Sequence, residues 1–284
     1  MAVEYDIGYV AFIDVLGWSQ AIEKSVENRE LLAQMAAVQQ TVVERMNEIL
    51  DPNNPEEPSF NANTYAYQFS DAHILAVPQR DSTRAGAEFV AMWCRLIARE
   101  YFKVGLLVRG GVTIGKIYCA DRVCFGPALT RAYKLEQSVV LPMIILDPSK
   151  AVQGYFFDEE QYGMLSDDGP FTYNYFAKTK DGRRFIDFLR HDVCTDMEFR
   201  PIDVFEQTEL KTLTQKQEIV ENDNLDVRMK KTWFLDYANG SWRNKDNSTI
   251  RQINFQPQKG MRRRLIPGNY AQDFGITEQA RCDR

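Results

Sequence analysis

Histidine is scarce in this 284-residue chain, which contains only His73 and His191. Cysteine is sparse as well: Cys94, Cys119, Cys124, Cys194 and Cys282 are odd in number and scattered, and Cys119 and Cys124 are spaced too widely for a CxxC pair. That usage argues against a zinc centre and against a disulfide framework, and it fits a reducing cytoplasm. No apolar run approaches the roughly 20 residues that a membrane span requires. The N-terminus shows no basic, apolar secretion signal, so a cytoplasmic chain with no membrane partner is expected. Positive charge is not in excess either, with 34 Lys and Arg against 40 Asp and Glu and a formal charge of −6. A general nucleic-acid binder needs a basic surface to displace counterions, so no nucleic-acid partner is expected. A nucleotide site survives this exclusion, because a metal and a few cations screen a triphosphate locally. Internal repeats and low-complexity stretches are also missing.

Two acidic residues at the ends of apolar runs dominate what is present. Asp14 follows Tyr9-Val10-Ala11-Phe12-Ile13, and Asp71 follows Tyr67-Gln68-Phe69-Ser70. Apolar runs bounded by turn residues read as buried strands. Carboxylates at the mouths of two adjacent strands form a small site of hard oxygens suited to Mg²⁺ or Mn²⁺. Mg²⁺ is commonly held by one or two carboxylates plus substrate phosphates, so two aspartates suffice. Either one alone is equally a turn or cap residue.

The first strand is expected over 8–15. A helical spacing follows through Ile22, Val26, Met35, Val38, Val42, Met46 and Ile49, with a break near Asn28. The Pro- and Asn-rich stretch 51–58 reads as an exposed loop. Strands over 64–69 and 73–77, joined at Ser70-Asp71, form a hairpin. Phe89, Trp93, Ile97 and Tyr101 recur every four residues on the next helix. A strand over 104–114 contains Arg109-Gly110-Gly111; then come Val123-Cys124-Phe125-Gly126-Pro127, a helix over about 128–137 and a short strand over 141–146. This order predicts an α+β fold, a mainly antiparallel sheet with helices on one face. Further along, a hairpin over 171–176 and 184–189 and a helix over 223–239 are expected. Past Asn244 the chain is polar, with Arg262-Arg263-Arg264 reading as a solvated patch. The division expected is a catalytic domain over 1–200 and a helical extension with a tail over 201–284.

Four segments in order resemble the class III nucleotidyl cyclases. Ile13-Asp14-Val15-Leu16-Gly17-Trp18 is similar to that family's first metal strand, and Ser70-Asp71 to its second metal aspartate in a hairpin. Arg109-Gly110-Gly111-Val112-Thr113-Ile114-Gly115 is similar to its R-x-G-I-x-x-G strand. Phe125-Gly126-Pro127-Ala128-Leu129-Thr130-Arg131-Ala132-Tyr133-Lys134-Leu135-Glu136 matches in part its W/F-G-x-x-V-N-x-A-x-R-hydrophobic-E segment. The resemblance covers roughly residues 8 to 146 and implies a class III cyclase-like, ferredoxin-like sheet. It also implies two Mn²⁺ or Mg²⁺ ions held by Asp14, Asp71 and the Val15 carbonyl, and a head-to-tail homodimer with shared sites.

The departures narrow the substrate. Tyr67 stands where purine cyclases commonly carry a base-reading lysine, and Val123, beside Arg122, stands where they carry a base-reading acid. Thr130 and Lys134 occupy the positions of the transition-state asparagine and arginine, with Arg131 competing for the latter role. A phenol filling the volume of a purine's imidazole ring leaves room for a pyrimidine. The pattern thus looks most like the pyrimidine cyclases of Pycsar antiphage systems. That likeness implies a uridylate or cytidylate cyclase whose product acts on a cyclic-nucleotide-responsive effector. UTP is favoured over CTP, because an arginine has only donors and uracil offers an O4 acceptor where cytosine has an amino group. Tyr67, Arg122 and Phe125 are the candidate base-pocket residues, and Lys178, Lys180, Arg183 and Arg184 the candidates for the terminal phosphates. Plainer readings stay open: Tyr67 as strand packing, Thr130 as a cap, Lys134 as a solvated helix residue, Arg109 as the partner of a surface acid, Gly110-Gly111 as room for close packing. A catalytically silent cyclase-like module and an ordinary purine cyclase are the competing functions.

Overall fold

The computed structural model describes residues 4–50, 64–78, 85–120, 123–157, 176–179, 182–189, 217 and 223–243. The loop over 51–58, Arg122, Lys180 and everything past 243 lie outside the described residues, as does the side chain of Lys178. Strands β1 (Asp6–Leu16), β2 (Tyr65–Phe69), β3 (Ala72–Pro78), β4 (Leu107–Ala120), β5 (Val123–Phe125), β6 (Ile144–Leu146), β7 (Phe176–Lys178) and β8 (Arg184–Ile186) build one sheet. The helices are α1 (Trp18–Ser25), α2 (Arg29–Leu50), α3 (Ala85–Lys103), α4 (Pro127–Ser138), α5 (Lys150–Phe157) and α6 (Leu225–Arg243). None of them is long and apolar enough to cross a membrane.

The eight strands run in the order β2-β3-β1-β4-β6-β8-β7, with β5 folded back on β4. Among the described residues all strand pairings are antiparallel except β4 with β6. The first four in that order, linked as β1-helices-β2-β3-helix-β4, make a ferredoxin-like unit. The predicted α+β class and mainly antiparallel sheet are therefore present.

Side-chain alternation along β1 decides what each face does. Tyr9, Ala11, Ile13 and Val15 point into the large core with α1, α2 and α3. There Phe89, Trp93, Ile97 and Tyr101 are all buried on α3, confirming the four-residue spacing. Fully burying side chains of that size contributes about 1.5–3 kcal/mol each. Val10 and Phe12 point the other way, into a smaller cluster with Ala128 and Ala132 of α4. The expectation of helices on one face is thus corrected: α4 covers the opposite face. Gly111 makes this possible, because a Cβ there would lie 2.5 Å from the Ala132 carbonyl oxygen and from the Leu135 Cβ. Glycine at this position lets the α4 backbone approach the sheet.

Strand bounds also moved. β4 begins later than the predicted 104, because the Val104 and Leu106 N–H groups bond back to the Tyr101 carbonyl, and ends later than 114, because residues 115–117 pair with Asp6–Gly8 of an extended β1. β6 is shorter than expected, since the Met143 N–H bonds back to the Leu141 carbonyl in a turn. α6 buries Trp233, Phe234 and Tyr237 in the large core. The Tyr237 hydroxyl donates to Asp187 at 2.5 Å and accepts the Leu189 N–H at 3.0 Å.

Candidate active site

Three adjacent strands carry acid, acid and base to one end of the sheet. Asp14 on β1 lies opposite Ala72 on β3, and Asp71 occupies the turn immediately before Ala72. On the other side of β1, Asp14 lies opposite Arg109 of β4. β1 outruns its pairing with β3 by two residues, Val15 and Leu16, while its pairing with β4 continues to Leu16. The backbone at Val15 therefore has one edge without a ladder partner beside the Asp71 turn.

The Arg109 Nε–H donates to Asp14 Oδ2 at 3.2 Å. Its Nη1 reaches toward the Val139 carbonyl at 3.5 Å. Glu136 Oε1 lies within ion-pair distance of the same Nε, off the N–H axis and with no hydrogen bond of its own. Glu136 is fully buried on α4, so Arg109 is wedged between two carboxylates from different elements. Sequence reasoning left Arg109 with a surface acid as its plainer partner and assigned Glu136 no role. The register of β1 against β4 is the signal that pairs Arg109 with Asp14.

Burial raises the pKa of Asp14, and Arg109 opposes that rise. The negative charge of Asp71 raises it further, and the Lys230 ammonium on α6 lowers it. Two carboxylates close enough to repel, one of them half desolvated, form a donor set that a hard divalent cation relieves. The residues fit Mg²⁺ or Mn²⁺ retaining substrate phosphates and water in its remaining positions. Among the described residues no group of three or more His, Cys, Asp or Glu is placed to hold a metal ion by itself.

Behind Asp71, the Tyr101 hydroxyl lies 2.7 Å from His73 Nε2. Burial pushes the His73 pKa down to about 4, which keeps the ring neutral. His73 faces α3, away from Asp14, and takes a packing position there. Burial, then the charge of Asp71, raises the Tyr101 pKa, so the phenol stays protonated beside the turn. Next to Asp14, Gly17 adopts φ +78° at the start of α1, which has no side-chain cap and no acid in its first turn. Free N–H groups at such an end favour anions.

The remaining candidates separate into two groups. Tyr67 shares the α4-facing side of the sheet with Tyr65 and lies near Cys119 and Cys124 of the β4–β5 hairpin. Its hydroxyl is buried with no hydrogen-bond partner among the described residues, and burial, followed by those two thiols, pushes its pKa up to about 12. Phe125 on β5 packs edge-on against Tyr5 and tilted against Tyr118, and remains half exposed. Thr130 and Lys134 stand one turn apart on the exposed side of α4, and among the described residues no hydrogen bond or ion pair joins either to Asp14 or Asp71. Arg131 is bound elsewhere, donating to Asp147 through Nε at 2.7 Å and Nη2 at 2.9 Å. Arg183 and Arg184 lie at the β7–β8 edge, with Arg184 Nη1 donating to Gln153. A groove of about 550 Å³ lies under the hairpin turn, lined by Trp18, Gln39, Gln40, Val43, Glu44, Gln68 and Ser70, and includes neither Asp14 nor Asp71.

No family model matches the sequence, and no curated protein matches it. Among solved structures the chain is similar to the monomeric guanylyl cyclase domain of the RhoGC fusion protein from the aquatic fungus Blastocladiella emersonii. That match has a TM-score of 0.43 and 14% identity, covering 65% of this chain and 96% of that one. The guanylate cyclase domain of RhGC from Catenaria anguillulae in complex with GTP matches with a TM-score of 0.39 and 13% identity, over 65% and 96% of the two chains. The guanylyl cyclase Cya2 matches with a TM-score of 0.34 and 12% identity, over 71% and 100%.

Proposed function

We propose that this chain is a nucleotidyl cyclase of the class III type, acting on a pyrimidine nucleoside triphosphate, with UTP favoured. It would form the 3′,5′-cyclic monophosphate and pyrophosphate. The observation that carries this reading is the pair Asp14 and Asp71 on neighbouring strands, with Arg109 set against Asp14. When bound, divalent ions supply Lewis acidity at the phosphates and lower the pKa of the 3′-hydroxyl. Asp14, Asp71 and the Val15 carbonyl would hold them. Arg109 has two acids to pair with, so it can keep Glu136 as Asp14 turns to a cation. The uncapped start of α1, with Lys230, adds positive potential where a triphosphate would lie.

Thr130 and Lys134 face outward on α4, so they would serve the aspartates of a second chain, stabilising charge on the transferring phosphorus. A two-fold homodimer provides that arrangement. Exposed Phe69, Val123, Phe125 and Tyr133 supply apolar surface for it. Tyr67 would limit the size of the base, and Arg122 would favour O4 of uracil. The proposed role is an antiphage second-messenger source acting through a cyclic-nucleotide-responsive effector. Incubation with Mn²⁺ and each of the four ribonucleoside triphosphates, with products resolved by mass, tests the reading. Cyclic UMP as the main product supports it; cyclic CMP overturns the Arg122 argument, a purine product the Tyr67 argument, and no product the enzyme itself.

A further inference from the structure

Cys119 and Cys124 stand directly opposite one another on β4 and β5. Both are free thiols, and their sulfurs lie 2.8 Å apart. Partners in antiparallel register have Cα atoms about 4.5–5.5 Å apart, within the roughly 4.4–6.8 Å that a disulfide spans. The pair can therefore close without a change of register. We infer that Cys119 and Cys124 form a two-electron oxidation site, a cross-strand dithiol that a hydroperoxide converts to a disulfide.

The surroundings assign a role to each sulfur. Cys119 is buried, whereas Cys124 is only half buried, between exposed Val123 and Phe125. The contact with the Cys119 sulfur holds Cys124 below the usual thiol pKa, with burial opposing it. The same contact, followed by burial, holds Cys119 above its ordinary value. Cys124 is thus the more accessible residue of the pair, and its thiolate is the nucleophilic form.

Attack of the Cys124 thiolate on the peroxide breaks the O–O bond, forms an S–O bond and releases an alcohol, or water from hydrogen peroxide. The resulting sulfenic acid faces the Cys119 sulfur, whose attack forms the S–S bond and expels water. Two thiols lose two electrons and two protons, and one hydroperoxide gains them. The new bond would fasten the hairpin that carries Phe125, beside the phenol of Tyr67. This chemistry is independent of the proposed cyclisation.

Peptide mapping of the reduced full chain, treated with hydrogen peroxide and then alkylated, tests the inference. Trypsin cuts after Lys116, Arg122 and Arg131, so the two cysteines fall on separate peptides. The expected result is those peptides joined, two hydrogen masses lighter than their sum, with both alkylation sites lost and both restored by dithiothreitol. Cys94, fully buried on α3, should stay alkylatable on denaturation and serves as the internal control. In Cys119→Ala, a 1,3-dione probe should trap sulfenic acid on Cys124. Oxidation of Cys124 to sulfinic acid without cross-linking in the unmodified chain, or both peptides remaining free while Cys94 oxidises, would overturn the proposal.

Discussion

Replacing Arg131 with methionine should destabilise the fold by about 2 kcal/mol at neutral pH, the lower part of what breaking a buried ion pair produces once the exposure of the arginine is discounted. Asp147 is only 4% exposed, whereas Arg131 is 48% exposed. The carboxylate accepts from Arg131 twice, from the Thr113 hydroxyl at 3.0 Å and from the Ser149 N–H at 3.0 Å. Burial pushes the Asp147 pKa up, but those bonds outweigh it and bring it down to about 2 from 3.8. A depressed carboxylate contributes stability that is complete above its unfolded pKa and lost as pH falls through the folded value. The shift corresponds to roughly 2.4 kcal/mol at pH 7, of which about half is gone by pH 3. Without Arg131, only the Ser149 and Thr113 bonds oppose burial, so much of this contribution is lost. Urea unfolding of wild type and Arg131→Met at pH 7, 4 and 3 should therefore show a constant gap between pH 7 and about 5, narrowing toward pH 3. A gap below about 0.5 kcal/mol at pH 7, or one that does not narrow in acid, would refute the clamp. Lys134→Met, three residues along the same helix on its exposed side, should leave unfolding unchanged and act on turnover. The pair of variants separates a cation that holds α4 to the sheet from one proposed to meet phosphate.

Asp71→Asn should abolish cyclic product and weaken Mn²⁺ binding measured by electron paramagnetic resonance, with the melting temperature nearly unchanged; retained tight binding would remove Asp71 from the metal site. Gly111→Ala should destabilise by about 2–4 kcal/mol, because the new methyl meets α4 backbone that cannot rotate away. A melting temperature equal to wild type would show that α4 can lift. Tyr67→Phe should keep or slightly raise stability, since it deletes a buried hydroxyl with no partner. If the phenol limits only size, UTP and CTP should retain their ratio in that variant under direct competition, whereas Tyr67→Lys should erode the pyrimidine preference.

Local pattern carried much of the architecture. The apolar run over 8–15, the four-residue spacing from Phe89 to Tyr101 and the Ser70-Asp71 turn each encode their element through near neighbours, so strand, helix and hairpin are legible from composition and local pattern alone. The same reading places Asp14 near the end of β1, which runs on to Leu16, and Asp71 in the turn before β3. Side-chain meetings between distant segments do not. Arg109 and Asp14 are 95 residues apart in sequence, and nothing near either residue states that β1 and β4 are neighbours. The face taken by α4 depends on whether its small residues, Ala128 and Ala132, find glycines on the sheet, which is a property of packing. Arg131 and Lys134 look equally available along the helix. Only the fold delivers Asp147 to one of them and leaves the other facing outward, because hydrogen-bond partners for a buried carboxylate are chosen by position in space. The sequence thus determined which elements form and which residues are candidates for a site. Tertiary structure decided which charges neutralise one another and which stay exposed, because those meetings are set by position in space.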